Sequence, residues 1–148
     1  KTLNTLKAIK ISEDTLVVDW YGPKGLTHIG DDPYFLRVRS YSTGKIEVTC
    51  KWNKKIIGKT VQCDEVDVLV DSHDKTKFLF ESIGLENYAH QEKKRTSWKL
   101  GDVRFDLDIY PGMSEFLEIE AGSEKEIDNT IKKHLKNHIY LVSAKSAD

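Results

Sequence analysis

The clearest pattern in the chain lies in residues 103–109 and 116–121, where apolar and charged residues alternate strictly. A period of two is typical of a β-strand, because successive side chains point to opposite faces. Pro111 and Gly112 separate the two stretches, so we predict a hairpin. The residues on its polar face are charged: Arg104, Asp106, Asp108, Glu118 and Glu120.

The same alternation predicts five more strands earlier in the chain. These strands are residues 16–21, 34–39, 45–52, 61–71 and 90–98. A loop rich in turn residues is predicted to run from Gly22 to Pro33, and a basic loop is predicted over residues 53–59.

Helical spacing of apolar residues predicts helices over residues 74–82 and from Ser123 onwards, and residues 2–11 fit a shorter helix. Ser123-Glu124-Lys125-Glu126 is a capping box, which marks the start of the last helix. The apolar positions are Leu3, Leu6 and Ile9 in the short helix, Phe78, Leu79 and Ile83 in the next, and Ile127, Ile131 and Leu135 in the last.

Nearly every predicted strand has one apolar face and one ionised face. The amphipathic helices need an apolar surface, which the sheet provides on one side only. Consecutive short antiparallel strands favour closure, because closure removes exposed edges. We therefore predict an α+β fold: a closed antiparallel β-barrel or tunnel with amphipathic helices packed outside.

Length and charge narrow the class of protein further. A chain of 148 residues is long enough for one domain, predicted over residues 1–148. Because 23 basic and 24 acidic residues nearly cancel, a nucleic-acid binder is not expected. We expect neither a membrane span nor a signal peptide, and predict a cytoplasmic protein whose Cys50 and Cys63 are reduced. The oligomeric state stays open, with a homodimer among the options.

A closed sheet would bring the ionised faces together in its interior. Cations there would bind the phosphates of a polyanion, and carboxylates would hold Mg²⁺. Glu118 and Glu120 would lie about 7 Å apart on one face of a strand, close enough to share one hydrated ion. A solvated outer face is the alternative interpretation of the same pattern.

Six short motifs follow one another along the chain: Asp19-x-Tyr21, Leu36-Arg37-Val38-Arg39, Lys51, Lys93-x-Arg95-x-x-Trp98, Leu107-Asp108 and Phe116-Leu117-Glu118-Ile119-Glu120. Their order resembles the CYTH superfamily, the triphosphate tunnel metalloenzymes. That superfamily includes class IV adenylate cyclases, thiamine triphosphatases and tripolyphosphatases. The Phe-Leu-Glu-Ile-Glu-Ala-x-Ser-Glu run, residues 116–124, is most similar to the class IV cyclases.

The resemblance implies an enzyme that acts on a triphosphate such as ATP or tripolyphosphate and requires Mg²⁺ or Mn²⁺. It implies phosphate ligands at Arg37, Arg39, Lys51, Lys93 and Arg95, and metal ligands at Glu118 and Glu120. Further tunnel residues would be Glu65, Asp67, Arg104, Asp106 and Asp108. Asp106 and Asp108 either bind a second metal or orient the arginines, and Glu65 and Asp67 either have a role in the tunnel or pair with neighbouring cations. It assigns no catalytic residue.

The family's first-strand signature, E-x-E-x-K, is absent from these residues, and we expect it in a strand upstream of Lys1. An adenylate cyclase-like reaction, ATP to cyclic AMP and pyrophosphate, is the leading hypothesis. The alternatives are a tripolyphosphatase or thiamine-triphosphatase-like hydrolase, a non-catalytic nucleotide- or polyphosphate-binding module, and an open sheet whose charged face binds a protein partner.

Overall fold

The structure, a computed structural model, describes residues 7–28, 34–57, 60–134 and 140–144. In these residues there are eight strands and two helices. The strands are β1 (Ile9–Gly22), β2 (Phe35–Tyr41), β3 (Ile46–Ile57), β4 (Thr60–Leu69), β5 (Glu86–Leu100), β6 (Val103–Ile109), β7 (Phe116–Ala121) and β8 (Tyr140–Ala144). The helices are α1 (His73–Ser82) and α2 (Glu124–His134).

Hydrogen bonds join the strands in the order β1-β2-β3-β4-β8-β7-β6-β5, which closes into a barrel. The β1–β2, β2–β3, β5–β6 and β6–β7 pairs are antiparallel. The predicted α+β class and closed sheet are confirmed. The antiparallel prediction is wrong for β8, which pairs in parallel with both β4 and β7. The alternation pattern did not predict this strand, because a short apolar run carries no clear period.

The described residues form two compact units. Unit 1 comprises the described parts of Lys1–Glu13, Lys55–Cys63 and Lys94–Asp148, and unit 2 those of Asp14–Lys54 and Asp64–Lys93. Several strands, including β1 and β5, contribute residues to both units. The single domain over residues 1–148 stays a prediction. No helix in the described part of the chain is long and apolar enough to cross a membrane.

The core of unit 1 lies between α2 and the apolar face of the β6–β7 hairpin. Phe105 and Ile119 are opposite each other in the sheet and fully buried. Ile127 of α2 packs against them and is 1% exposed. The predicted packing of this amphipathic helix on the apolar face of the sheet is therefore confirmed. Leu135, the third predicted apolar position of the helix, lies outside the described residues.

The core of unit 2 departs from the predicted separation of apolar and ionised faces. Its buried residues are Leu16, Val18 and Trp20 of β1. In the register of β1 with β2, Val18 is opposite Arg39 and Trp20 is opposite Arg37. Because opposite residues share a face of the sheet, the apolar side of β1 and the arginines of β2 lie together.

Helix α1 contacts the other face of β1 and β2, but not through the predicted stripe. Phe78, Leu79 and Ile83 are 57–72% exposed. Thr76 is buried instead, and the ring of Phe80 meets that of Tyr21 edge-on at 5.2 Å. The spacing of apolar residues identified the helix correctly, but it selected the exposed side as the packed one, because apolar residues occupy both sides of the helix.

Two loop or helix predictions are also corrected. Residues 9–11, predicted as the end of a helix, begin β1, and residues 2–6 of that helix lie outside the described part. The predicted basic loop is strand as far as Ile57. Its lysines do not alternate with apolar residues, so no period of two marks this segment as a strand. Residues 29–33 of the predicted turn-rich loop are not among those described.

Candidate functional site

Arg37 and Arg39 form the most distinctive polar feature of unit 2. They are two residues apart on β2, so their side chains leave the same face of the sheet. Arg39 is only 8% exposed, and the guanidinium of Arg37 lies 5.6 Å from the centre of the Trp20 ring. The Nε atoms of both arginines are buried and have no hydrogen-bond partner among the described residues.

Hydrogen bonds and ion pairs with neighbouring side chains hold Arg39 in place. Arg39 Nη1 donates to the Tyr41 hydroxyl at 2.9 Å, and that hydroxyl donates to Glu47 Oε1 at 3.1 Å. Lys45 also pairs with Glu47. Burial acts to raise the pKa of Glu47, but the contacts with Lys45 and Arg39 outweigh it and hold that pKa below its ordinary value. Glu47 is therefore an anion that fixes Arg39 while leaving its Nε available.

The other predicted residues of unit 2 lie on β3, β4 and β5. Lys51 Nζ is 2.8 Å from Glu65 Oε2, and Thr49 donates to Asp67 at 2.7 Å. Thr49 is directly opposite Arg37 in the sheet. Lys93 is 9% exposed and has an interaction partner of its own. Unit 2 thus brings together the predicted cations of β2 and β3 with the carboxylates of β4.

In unit 1 the central polar residue is Arg95. Its Nε and Nη2 donate to the two carboxylate oxygens of Asp108, both at 2.6 Å. Nη1 donates to Asp106 at 2.9 Å and Nη2 to Glu118 at 3.1 Å. Burial alone would lower the pKa of Arg95, but these three carboxylates raise it above its ordinary value. The guanidinium is therefore fixed as a cation.

A second layer of contacts fixes the carboxylates in turn. Asp106 is 4% exposed and accepts from Ser97 Oγ at 2.5 Å and from Arg104 Nε at 3.0 Å. Asp108 is 1% exposed. These contacts place both aspartates beside Arg95, and their role as residues that orient an arginine or as ligands of a second metal stays a prediction.

Glu118 and Glu120 lie on the polar face of β7, opposite Asp106 and Arg104. The Glu118 side chain is 35% exposed, and both glutamates have interaction partners. Within the described residues, no group of three or more His, Cys, Asp or Glu side chains is arranged to hold a metal. Two carboxylates fit Mg²⁺ or Mn²⁺ nevertheless, because Mg²⁺ commonly takes one or two protein carboxylates and completes its shell with water and substrate phosphates.

A histidine network that was not predicted is centred on Asp19, on the α1 side of unit 2. His73 Nε2 and His90 Nδ1 lie 2.8 and 2.7 Å from the Asp19 carboxylate, and His73 Nδ1 lies 2.7 Å from Ser40 Oγ. The hydrogen bond to Asp19 raises the pKa of His90. These residues are far apart in sequence and follow no period, so no pattern could have joined them.

A protein-family model described as the CYTH domain matches residues 30–148. No curated protein matches the chain. Among solved structures, the PH1012 protein from Pyrococcus horikoshii OT3 has 22% sequence identity and a TM-score of 0.76, with 93% of this chain and 82% of that chain covered.

Two further solved structures are described by an activity. A “putative adenylate cyclase” from Vibrio parahaemolyticus is 16% identical with a TM-score of 0.66, covering 91% of this chain and 77% of its own. The other is HpAC1 from Hippeastrum, an adenylyl cyclase candidate described as having a dominant triphosphatase activity. It is 11% identical with a TM-score of 0.66, and the match covers 90% of this chain and 78% of that chain. These likenesses show the fold. The family model covers most of the sequence, and the chain therefore belongs to the CYTH domain family.

Proposed function

We propose that the protein is a divalent-metal-dependent enzyme that acts on a triphosphate. The observation that carries the proposal is the pair of buried Nε atoms on Arg37 and Arg39, which lack a hydrogen-bond partner among the described residues. A buried donor left without an acceptor costs about 1–3 kcal/mol. A phosphate oxygen removes that cost and supplies a charge-assisted hydrogen bond to each guanidinium.

Phosphate binding is assigned in unit 2 to Arg37 and Arg39, with Lys51 and Lys93 as further cations. The Trp20 ring beside Arg37 and the Tyr41 hydroxyl beside Arg39 restrict the motion of both side chains. Restricted donors lose little entropy when the ligand binds, so most of their interaction energy appears as affinity. Arg95 of unit 1 is assigned the same role, with Asp108 and Asp106 orienting it.

Glu118 and Glu120 of unit 1 would hold Mg²⁺ or Mn²⁺. When bound, such an ion polarises phosphoryl oxygens and neutralises charge that develops during phosphoryl transfer. The protein's own contribution is positioning and electrostatic stabilisation, which account for most of the catalysis in this class of reaction. Placing the donors on strands rather than on loops gives that positioning its rigidity.

For the reaction itself, we propose cyclisation of ATP. The ribose 3′-oxygen attacks the α-phosphorus, the bond from that phosphorus to the bridging oxygen of the β-phosphate breaks, and pyrophosphate leaves as the hydroxyl proton is lost. Two likenesses support this choice: residues 116–124 resemble the class IV cyclases, and the Vibrio parahaemolyticus structure is described as a cyclase candidate.

Hydrolysis is the second candidate, because the structurally similar HpAC1 is described as mainly a triphosphatase. Here a water oxygen attacks the terminal phosphorus and releases orthophosphate. The two reactions use the same cations and differ in which phosphorus accepts the nucleophile, so their products separate them. We also propose a cytoplasmic location, since Cys50 is a free thiol that suits a reducing compartment.

Thermal unfolding tests the triphosphate proposal. Because a ligand that binds only the folded state stabilises it, tripolyphosphate with Mg²⁺ is expected to raise the melting temperature more than either alone. Sodium sulfate at equal ionic strength is the control for general salt effects. Equal shifts with sulfate and with tripolyphosphate would contradict the proposal and favour a charged face that binds a protein partner.

A further inference from the structure

Phe116 is an apolar residue on the carboxylate face of unit 1. It is the first residue of β7 and lies opposite Asp108 in the sheet. Alternation along β7 places it on the same face as Glu118 and Glu120. The hydrophobic core of unit 1 uses the other face, through Ile119 and Ala121. Phe116 is half-buried without belonging to that core.

Tyr110 stacks on Phe116 across the mouth of the β6–β7 hairpin. The two ring centres are 5.2 Å apart and their planes differ by 16°. The turn holds this arrangement: Met113 N donates to Tyr110 O at 3.2 Å, and Gly112 has a φ of +74°, which glycine adopts without strain. The pair therefore forms an aromatic surface at one end of the polar face.

The aromatic pair lies next to the proposed phosphate and metal ligands. Phe116 is two residues before Glu118, a distance of about 7 Å along a strand. Asp108, opposite Phe116, is the bidentate partner of Arg95, and Glu118 contacts the same guanidinium. A ligand with its phosphates at Arg95 would carry its organic group within reach of the two rings.

We propose that Tyr110 and Phe116 form a stacking subsite for a flat aromatic group of the substrate. The substrate is then a triphosphate that bears a heterocyclic base, rather than inorganic tripolyphosphate. This inference rests on the proposed function, because it presumes that the chain binds a triphosphate. Stacking of a base on an aromatic side chain changes affinity roughly 5- to 150-fold when the ring is removed.

The test compares a ligand that bears a base with one that has none, and each variant is judged against the wild type for the same ligand. Binding of tripolyphosphate and of an ATP analogue with a methylene bridge between its phosphates is measured by calorimetry with Mg²⁺. We expect Phe116→Leu and Tyr110→Leu to weaken binding of the analogue at least about fivefold and to leave tripolyphosphate affinity unchanged. Phe116→Tyr keeps an aromatic ring and should bind the analogue like the wild type. Phe78→Leu is the matched control, since Phe78 is 72% exposed on α1.

The outcomes separate this inference from the proposed function. If the wild type binds both ligands and neither leucine variant discriminates between them, the subsite is overturned and triphosphate binding stands. Equal weakening of both ligands also overturns it, since the rings would then act on the fold or on the phosphates. If the wild type binds neither ligand, the proposed function fails and the subsite fails with it.

Discussion

Arg39 offers a substitution in which ligand binding and stability should respond differently. In Arg39→Met the stem of the side chain stays apolar and about as long, while the charge and all N–H donors are removed. The variant loses the 2.9 Å hydrogen bond to Tyr41 and the 3.7 Å ion pair with Glu47, and it also removes a buried Nε that has no partner among the described residues. Glu47 keeps its contacts with Lys45 and Tyr41.

The size of each effect follows from these contacts. Loss of the hydrogen bond from the charged Arg39 to Tyr41 costs about 1.5–3 kcal/mol, whereas removing an unsatisfied buried donor relieves about 1–3 kcal/mol. The two contributions oppose each other and Lys45 keeps Glu47 paired, so we expect the free energy of unfolding to stay within about 2 kcal/mol of the wild type. Binding of tripolyphosphate loses a hydrogen bond to a charged group, about 1.5–3 kcal/mol, which is roughly a 10- to 150-fold weaker affinity.

Urea unfolding and calorimetric titration of tripolyphosphate with Mg²⁺ measure the two quantities. Lys77→Met is the matched control, because Lys77 is 50% exposed on α1 and pairs only loosely, at 3.9 Å, with Glu81. It should change neither quantity. A large loss of stability in Arg39→Met with unchanged tripolyphosphate affinity would refute the reasoning, since Arg39 would then be a structural cation.

Three further predictions follow from the two units. Glu118→Gln and Glu120→Gln should weaken Mn²⁺ binding in calorimetry while circular dichroism shows an unchanged fold, since each removes an anionic ligand; undiminished Mn²⁺ affinity in both would exclude them as ligands. Phe105→Ala should lower the free energy of unfolding by about 3–5 kcal/mol in urea, because the ring is fully buried; a loss under about 1 kcal/mol would contradict the core described for unit 1. Burial, with the nearby Asp19 and Glu81 carboxylates, raises the pKa of Tyr21 from 10.0 to about 12. The unfolded chain therefore loses this proton first, so stability should fall as pH rises from about 10 to 12, and Tyr21→Phe should show a shallower fall.

The β6–β7 hairpin shows how far sequence pattern can lead. Strict alternation placed Asp106 and Glu118 on one face, and the register makes them direct neighbours. What alternation could not supply was the hydrogen bonding of that face. Arg95 is joined to Asp108 by two bonds and to Glu118 by one. Which anion an arginine selects depends on strand register and side-chain conformation, and neither is encoded in a local period.

The alternation and helical spacing of apolar residues also failed to predict β8, the Asp19 network and the packed side of α1. Strand β8 has only five residues, too few for a period to emerge, and its pairing with β7 joins parts of the chain about twenty residues apart. The Asp19 network required β1, α1 and β5 to meet at one carboxylate. On α1, a polar residue, Thr76, took the buried position while Phe78 stayed exposed, so hydrophobicity alone misidentified the packed side.

Product analysis tests the central claim most directly. The purified protein is incubated with ATP or with tripolyphosphate and Mg²⁺ or Mn²⁺, and the products are resolved by chromatography, with excess chelator and Arg39→Met as controls. The account predicts metal-dependent conversion that is reduced in Arg39→Met, with cyclic AMP and an equal amount of pyrophosphate from ATP. Orthophosphate released chiefly from tripolyphosphate would replace cyclisation by hydrolysis. No metal-dependent product from either substrate would contradict the claim that this chain is a triphosphate-processing enzyme.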